Sequence, residues 1–386
     1  MELKSIPFNK PYLSGKESAY ILEAVKSGKI SGNGLFTQKC HAYFEQQYHF
    51  KKCLLTTSCT DALEMAAILI GIKAEDEVIM PSYTFVSTAN AFVLRGAKVV
   101  FCDSGKDNPN LDVELIEGLI TKKTKAIVPV HYAGIACDMD AIIQIADKYG
   151  LYVIEDAAQA IDSYYKKKRL GSIGNLAAFS FHETKNIQSG EGGLLVINDG
   201  RFIERAETIW EKGTNRSAFF RGETDKYSWV DIGSSFLPSD IIAAFLYAQI
   251  ENLVTIQTKR RQIWNFYFEG LKSLHEEGKL QLPFIPAYAT NNAHMFYLVC
   301  NSSEERIGLI EKLRQANILA VFHYLSLHNS LYYRDQRDKR ELPQSDRYSE
   351  RLVRLPLYFE MTEEDQKFIL SIIHEYYKKP FADVGN

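Results

Sequence analysis

Lys185 closes an alternating stretch, Ala177-Ala178-Phe179-Ser180-Phe181-His182-Glu183-Thr184-Lys185-Asn186, and Gly190-Glu191-Gly192-Gly193 follows it. A lysine amine held at a strand end can add to a carbonyl and form a Schiff base, and neighbouring glycines let a flat molecule lie close to the backbone. Asp156 follows the apolar run Leu151-Tyr152-Val153-Ile154. A carboxylate there either faces solvent or pairs with a cationic ring nitrogen, while Glu155 points to the opposite face because neighbours alternate along a strand. Thr56-Thr57-Ser58-Cys59-Thr60-Asp61 precedes a helical pattern. Its hydroxyls and N–H groups serve either as an ordinary N-cap or as a phosphate site at the positive end of the helix. Ser180 lies on the approach to Lys185 and reaches toward a phosphate from the same side.

These groups need a frame. Apolar residues at helical spacing predict helices over 60–72, 87–95 and 139–149. Short Val/Ile-rich runs predict strands over 77–80, 98–102, 126–130, 151–154 and 194–197. Such alternation implies a parallel sheet covered on both faces, with ligands at the carboxyl ends of its strands. The residues at those ends are Pro81-Ser82-Tyr83-Thr84-Phe85, Asp103, His131-Tyr132-Ala133-Gly134 and Glu155-Asp156-Ala157-Ala158-Gln159. Helices over 240–253 and 258–274 come next. Strand-like pieces at 294–299 and 319–324 then predict a second, smaller α+β domain, with the boundary near residue 250.

The chain has 386 residues, more than one compact core usually serves. A net charge of -3 argues against nucleic acid as a partner. The basic cluster Lys166-Lys167-Lys168-Arg169 reads as a solvated hairpin tip. Six scattered cysteines without a CxxC pair read as buried free thiols in a reducing compartment, with neither disulfide nor metal site. No apolar run approaches the ~18 residues of a membrane span, and no apolar signal core follows Met1, so a cytoplasmic protein is expected. A nicotinamide-binding fingerprint is missing: Gly32-Asn33-Gly34 has Thr37 in place of a third glycine and no strand before it.

The order of phosphate-capping hydroxyls, aromatic exit, strand-end Asp and strand-end Lys suits a fold-type I pyridoxal-phosphate (PLP) enzyme. Together with Pro81-Ser82-Tyr83-Thr84-Phe85, Pro129-Val130-His131-Tyr132-Ala133-Gly134, Glu155-Asp156-Ala157-Ala158-Gln159 and Ser180-Phe181-His182-Glu183-Thr184-Lys185-Asn186, it resembles the sugar aminotransferases of the DegT/DnrJ/EryC1/StrS family nearly end to end. The resemblance implies a large PLP-binding α/β domain over residues 1–250, with a mostly parallel seven-stranded sheet between helices, and a smaller α+β domain over 251–386. It assigns Lys185 to the Schiff base with PLP, Asp156 to the pyridine nitrogen, Phe85 to stacking on the ring and Gln159 to a place near it. Ser58, Cys59, Thr60 and Ser180 would hold the phosphate. Many relatives add an Asn from the partner subunit of a homodimer; here Gly233-Ser234-Ser235 stands in its place, so Ser235 would have to serve.

Gly34-Leu35-Phe36-Thr37, the segment Glu211–Ser217 and Phe219-Phe220-Arg221-Gly222 are similar to the branch that aminates a 4-keto-6-deoxy sugar on dTDP. That branch implies L-glutamate as amino donor, 2-oxoglutarate and dTDP-4-amino-4,6-dideoxygalactose as products, and a role in cell-surface polysaccharide such as O-antigen. Tyr83, Arg216, Arg221, Lys226, His323 and His328 are then the candidate contacts to the nucleotide sugar. Alternatives are the gluco epimer, a 3-keto substrate, or a sugar-nucleotide-binding regulator on the same fold. A sugar dehydratase of this fold carries histidine in place of the lysine, and Lys185 argues against that chemistry.

Overall fold

The computed structural model describes residues 5–378. Strands β1 (Lys52–Thr56), β2 (Glu77–Pro81), β3 (Lys98–Cys102), β4 (Thr124–Ile127), β5 (Tyr152–Asp156), β8 (Leu176–Ser180) and β9 (Gly193–Ile197) form one seven-stranded sheet in the order β1-β9-β8-β5-β4-β2-β3. Strands β6 (Tyr164–Tyr165) and β7 (Lys168–Arg169) make a separate hairpin that carries the basic cluster at its tip. All pairings are parallel except those made by β9, which runs against both β1 and β8. The mostly parallel sheet expected from the sequence is therefore present, with one reversed strand.

The central strands are apolar throughout because helices cover both faces. Alternate residues divide between two cores. Ile79, Val153, Ala177, Phe179 and Leu194 pack on one side against the helices Leu35–Gln47, Met139–Tyr149 and Asp240–Glu251. Val78, Met80, Ile154, Leu176 and Leu195 pack on the other against the helices Cys59–Leu69 and Val86–Val93. Full burial of a side chain such as Ile154 or Phe92 contributes about 1.5–3 kcal/mol. The helices begin and end on local signals. Asp138 caps Met139–Tyr149 by accepting from Ala141 N–H, and Gly150 stops it at φ 68°, a left-handed conformation that favours glycine.

Strands β10 (Leu280–Gln281), β11 (Phe296–Cys300) and β12 (Leu352–Leu355) make a three-stranded antiparallel sheet. It shares an apolar core with the helices Leu253–Glu276, Ser303–Gln315 and Glu363–Lys378. The strand expected over 319–324 does not form. Only Ile318 and Val321 make single bridges, to Ile6 and Arg354, and the chain then leaves the sheet toward the exits of the large one. The strand expected over 126–130 stops early at Ile127, where Pro129 removes a ladder donor. All six cysteines are free thiols, five of them buried. Among the described residues no helix is long and apolar enough to cross a membrane, and no cluster of metal-ligating side chains occurs.

Candidate active site

The site lies at the carboxyl ends of the parallel strands. Register aligns Thr56 with Gly193 and Gly193 with Ser180, so the end of β1, the start of β9 and the end of β8 form one row. The helix Cys59–Leu69 rises from this row. Its N-cap Ser58 is extended, and the Ser58 hydroxyl accepts from Asp61 N–H at 3.0 Å. The N–H groups of Cys59 and Thr60 have no acceptor among the described residues. Burial pushes the Cys59 thiol well above its usual pKa, so it adds no negative charge here. Thr60 Oγ1 donates to Ser87 Oγ at 2.8 Å, and His182 N–H approaches Ser180 Oγ at 3.4 Å. A Cβ on Gly193 would meet the Ser58 carbonyl oxygen at 2.3 Å, so only glycine lets β9 pass this close. Free N–H groups at a helix start, ringed by hydroxyls, fit a phosphate. Ser58 Oγ accepts the cap bond and keeps its own hydroxyl proton to donate, and Ser87, which no motif singled out, joins the group.

Asp156 is buried at the end of β5, and Glu155 points the other way as alternation requires. Glu155 accepts from the N–H groups of Gly171, Ile173 and Gly174 and pairs with His131 Nε2 at 3.0 Å. Burial pushes the Glu155 carboxyl up, but His131 and these N–H groups outweigh it and hold the pKa below the usual value. Asp156 Oδ2 accepts from Thr88 Oγ1 at 2.7 Å, and Oδ1 accepts from Ala158 N–H at 3.1 Å. Here burial prevails and raises the carboxyl above its ordinary pKa. A carboxylate so placed gains from a cationic partner, which a protonated pyridine nitrogen provides.

Lys185 is not at a strand end. Strand β8 stops at Ser180, and Lys185 N–H closes a turn on His182 O at 2.9 Å. The turn forms because His182 Nδ1 takes up both the hydroxyl and the N–H of Thr184, which draws the chain off the extended path. Burial lowers the Lys185 pKa, and no acceptor among the described residues bonds its amine. Desolvation thus leaves a more readily deprotonated amine in the electrostatic reach of Asp156.

An aromatic wall faces these groups. Phe85 is 54% exposed at the start of the helix Val86–Val93, and its ring lies 6.0 Å from that of Tyr324. Gln159 is buried: Oε1 accepts from Ala133 N–H at 2.6 Å, and Nε2 donates to the Tyr324 hydroxyl at 2.9 Å. His323 stacks on Tyr324 at 3.5 Å and bonds the Tyr132 hydroxyl at 2.7 Å. Tyr324 is a wall residue that the sequence did not mark, because its segment read as a strand.

Two of the expected sugar contacts are turned inward. Tyr83 is 1% exposed, packed among Tyr132, Tyr324 and Tyr348. His328 is equally buried, with Nδ1 bonded to Ser82 Oγ at 2.7 Å and Nε2 facing Asp346 at 3.4 Å. Both ring nitrogens are occupied, so His328 braces its loop against the strand exit. Arg216, Arg221 and Lys226 are exposed and make no contact with Lys185 or Asp156 within this chain. Arg221 is held by Glu207 and Glu223, each at 2.7 Å. Ser235 is exposed; its neighbour Phe236 accepts from Thr57 N–H at 2.9 Å, which sets Ser235 beside the loop that precedes the phosphate-fitting helix.

Comparison with known proteins agrees with this architecture. An uncharacterized protein of Methanocaldococcus jannaschii, MJ1066, is 35% identical over 368 residues, 93% of this chain and 94% of that one. The crystal structure of DesV from S. venezuelae, solved in complex with a ketimine intermediate, is 28% identical; the match covers 97% of this chain and 99% of that one, with a TM-score of 0.89. The aminotransferase TlmJ from Streptoalloteichus hindustanus is 26% identical over the same shares, also with a TM-score of 0.89. The model of the DegT/DnrJ/EryC1/StrS aminotransferase family matches residues 11–374, and the chain belongs to that family.

Proposed function

We propose that this PLP-dependent sugar aminotransferase takes its amino group from L-glutamate and places it on carbon 4 of dTDP-4-keto-6-deoxyglucose, giving dTDP-4-amino-4,6-dideoxygalactose. The observation that carries the reading is a desolvated Lys185 amine in the electrostatic reach of a buried Asp156 carboxyl, beside a helix start whose first N–H groups have no acceptor among the described residues. Support for the sugar comes from the segments Gly34–Thr37, Glu211–Ser217 and Phe219–Gly222, which are similar to that branch of the family.

Bound PLP supplies the electron sink for charge that develops at the reacting carbon. The chain supplies the rest. The Cys59 and Thr60 N–H groups with the Ser58, Thr60 and Ser180 hydroxyls would hold the phosphate. Asp156, oriented by Thr88, would keep the ring nitrogen protonated, and Phe85 would cover the ring. Lys185 Nζ would hold the cofactor, and as an amine it would serve as the base that takes a proton from the donor carbon and returns one toward the sugar.

The reading extends to a homodimer with shared sites, in which Ser235 and the cations Arg216, Arg221 and Lys226 act on the partner's substrate. The exposed Phe220, Tyr227, Trp229 and Val230 beside them suit a subunit interface. It also divides the chain at about residue 250 into a large and a small domain, and six free thiols suit a cytoplasmic enzyme.

The deciding experiment combines enzyme, PLP, L-glutamate and dTDP-4-keto-6-deoxyglucose and identifies the product by NMR. An axial amine at carbon 4 supports the assignment, an equatorial one shifts it to the gluco epimer, and an amine formed only from the 3-keto isomer replaces it. Lys185→Ala abolishes multiple turnover; a variant that still turns over would remove Lys185 from the reaction.

A further inference from the structure

Arg354 lies on β12, paired with Tyr297 of β11 and bridged on its other side to Val321. Its Nε and Nη2 donate to the Phe322 carbonyl at 3.3 and 3.1 Å, and its guanidinium carbon sits 4.6 Å from the centre of the Phe8 ring. The remaining N–H donors have no partner, and no carboxylate pairs with it, among the described residues. Burial lowers its pKa, and the groups that oppose this are the Tyr132, Tyr324 and Tyr83 hydroxyls. Burial raises the pKa of all three, so they stay neutral. A half-buried cation without a counter-ion gains when an anion arrives to complete it.

The anion is delimited by what surrounds the arginine. Phe322 directly precedes His323 and Tyr324, which stack together and reach Gln159 and Phe85. The charge of Arg354 also acts on Lys185, His294 and His323. Arg354 thus serves the part of the site where the reacting carbon must lie. The cofactor phosphate has its own cradle at Cys59 and Thr60. A nucleotide sugar carries its phosphates on carbon 1, across the ring from the keto carbon, whereas an amino acid carries a carboxylate directly on the reacting carbon. We propose that Arg354 anchors a carboxylate of the amino-acid donor and thereby selects that donor.

This inference rests on the aminotransferase reading. Its test uses the holoenzyme, with Arg354→Gln and the charge-retaining Arg354→Lys. L-glutamate is mixed with each protein without sugar, and loss of the cofactor's visible absorbance is followed. The half-saturating glutamate concentration rises about 100-fold in Arg354→Gln, the scale of one lost charge-assisted anchor, and less in Arg354→Lys. A second readout is independent of turnover: titration calorimetry with glutarate, an inert dicarboxylate, and with dTDP. Arg354→Gln loses glutarate and keeps dTDP. Unchanged glutarate binding overturns the inference, as does loss of dTDP with or without glutarate, which would give the guanidinium to the pyrophosphate or to both. If Arg354→Gln does not fold, Arg354→Lys decides on the same two ligands. A wild-type enzyme that no amino acid bleaches would instead sink the aminotransferase reading itself.

Discussion

The hydroxyl of Thr88 donates to Asp156 at 2.7 Å, and both groups are buried. The Thr88 hydroxyl in turn contacts that of Thr84 at 2.9 Å, so the carboxylate is held by a short chain of hydroxyls from the neighbouring helix and its approach. Thr88 is a positioning residue, acting through Asp156.

Replacing Thr88 by valine keeps the shape and deletes the donor. A hydrogen bond to a charged group is worth about 1.5–3 kcal/mol, so PLP affinity of the apoenzyme falls about ten- to a hundredfold. Absorbance titration measures it. Thr88→Ser restores both affinity and the pH profile of the visible band, which follows protonation of the lysine–cofactor linkage and responds to charge at the ring nitrogen. A valine variant with the wild-type profile would deny Thr88 its part.

Gly193 meets the Ser58 carbonyl and Cys59 N at separations where a methyl group has no room. Both are backbone atoms and cannot swing aside. Gly193→Ala displaces the start of the helix Cys59–Leu69, and PLP affinity drops at least about tenfold while circular dichroism is retained. Wild-type affinity would show that the phosphate does not sit on this loop.

His41 ties the same region to the fold, since its Nε2 accepts from Leu55 N–H at 2.9 Å. Burial lowers its pKa to about 3. The folded pKa lies below the unfolded one, so the stability it contributes is complete above pH ~6.5 and is lost as pH falls toward about 3, at roughly 1.4 kcal/mol per pH unit. Urea unfolding at pH 7 and pH 5 measures the loss. His41→Gln, which cannot take up the proton, removes about 2 kcal/mol of the difference between those two conditions. An equal pH dependence in both proteins would assign it to other groups.

Lys185, Asp156 and the helix start at Cys59 stand out in the sequence because each follows a strong local pattern: an apolar run, a glycine bend, a cap. Thr88 and Arg354 carry no such mark. Thr88 meets a partner 68 residues away, and Arg354 gains its meaning from a carbonyl 32 residues earlier and from the lack of a carboxylate partner among the described residues. The turn at Lys185 was missed because the alternation of residues 177–185 continues past Ser180, where side-chain bonds of His182 override it. Likewise 319–324 has the apolar content of a strand, but beyond Val321 it finds no neighbour to pair with. Tyr83 and His328 show the converse: residue type suggested contact with a ligand, while in this chain Tyr83 packs in an aromatic cluster and His328 bonds Ser82.

The reversed strand β9 bears on the order of assembly. It is the one strand of the large sheet that pairs directly with its predecessor, β8, across a connection without a helix. Every parallel neighbour must first close a longer loop, and β1 must wait for most of the large sheet's chain before it meets β9. Local pairings form fastest. The hairpin that carries Lys185 therefore forms early, and the row of Thr56, Gly193 and Ser180 is completed only when β1 docks beside β9. The turn at Lys185 is thus in place before the strand that completes its surroundings arrives.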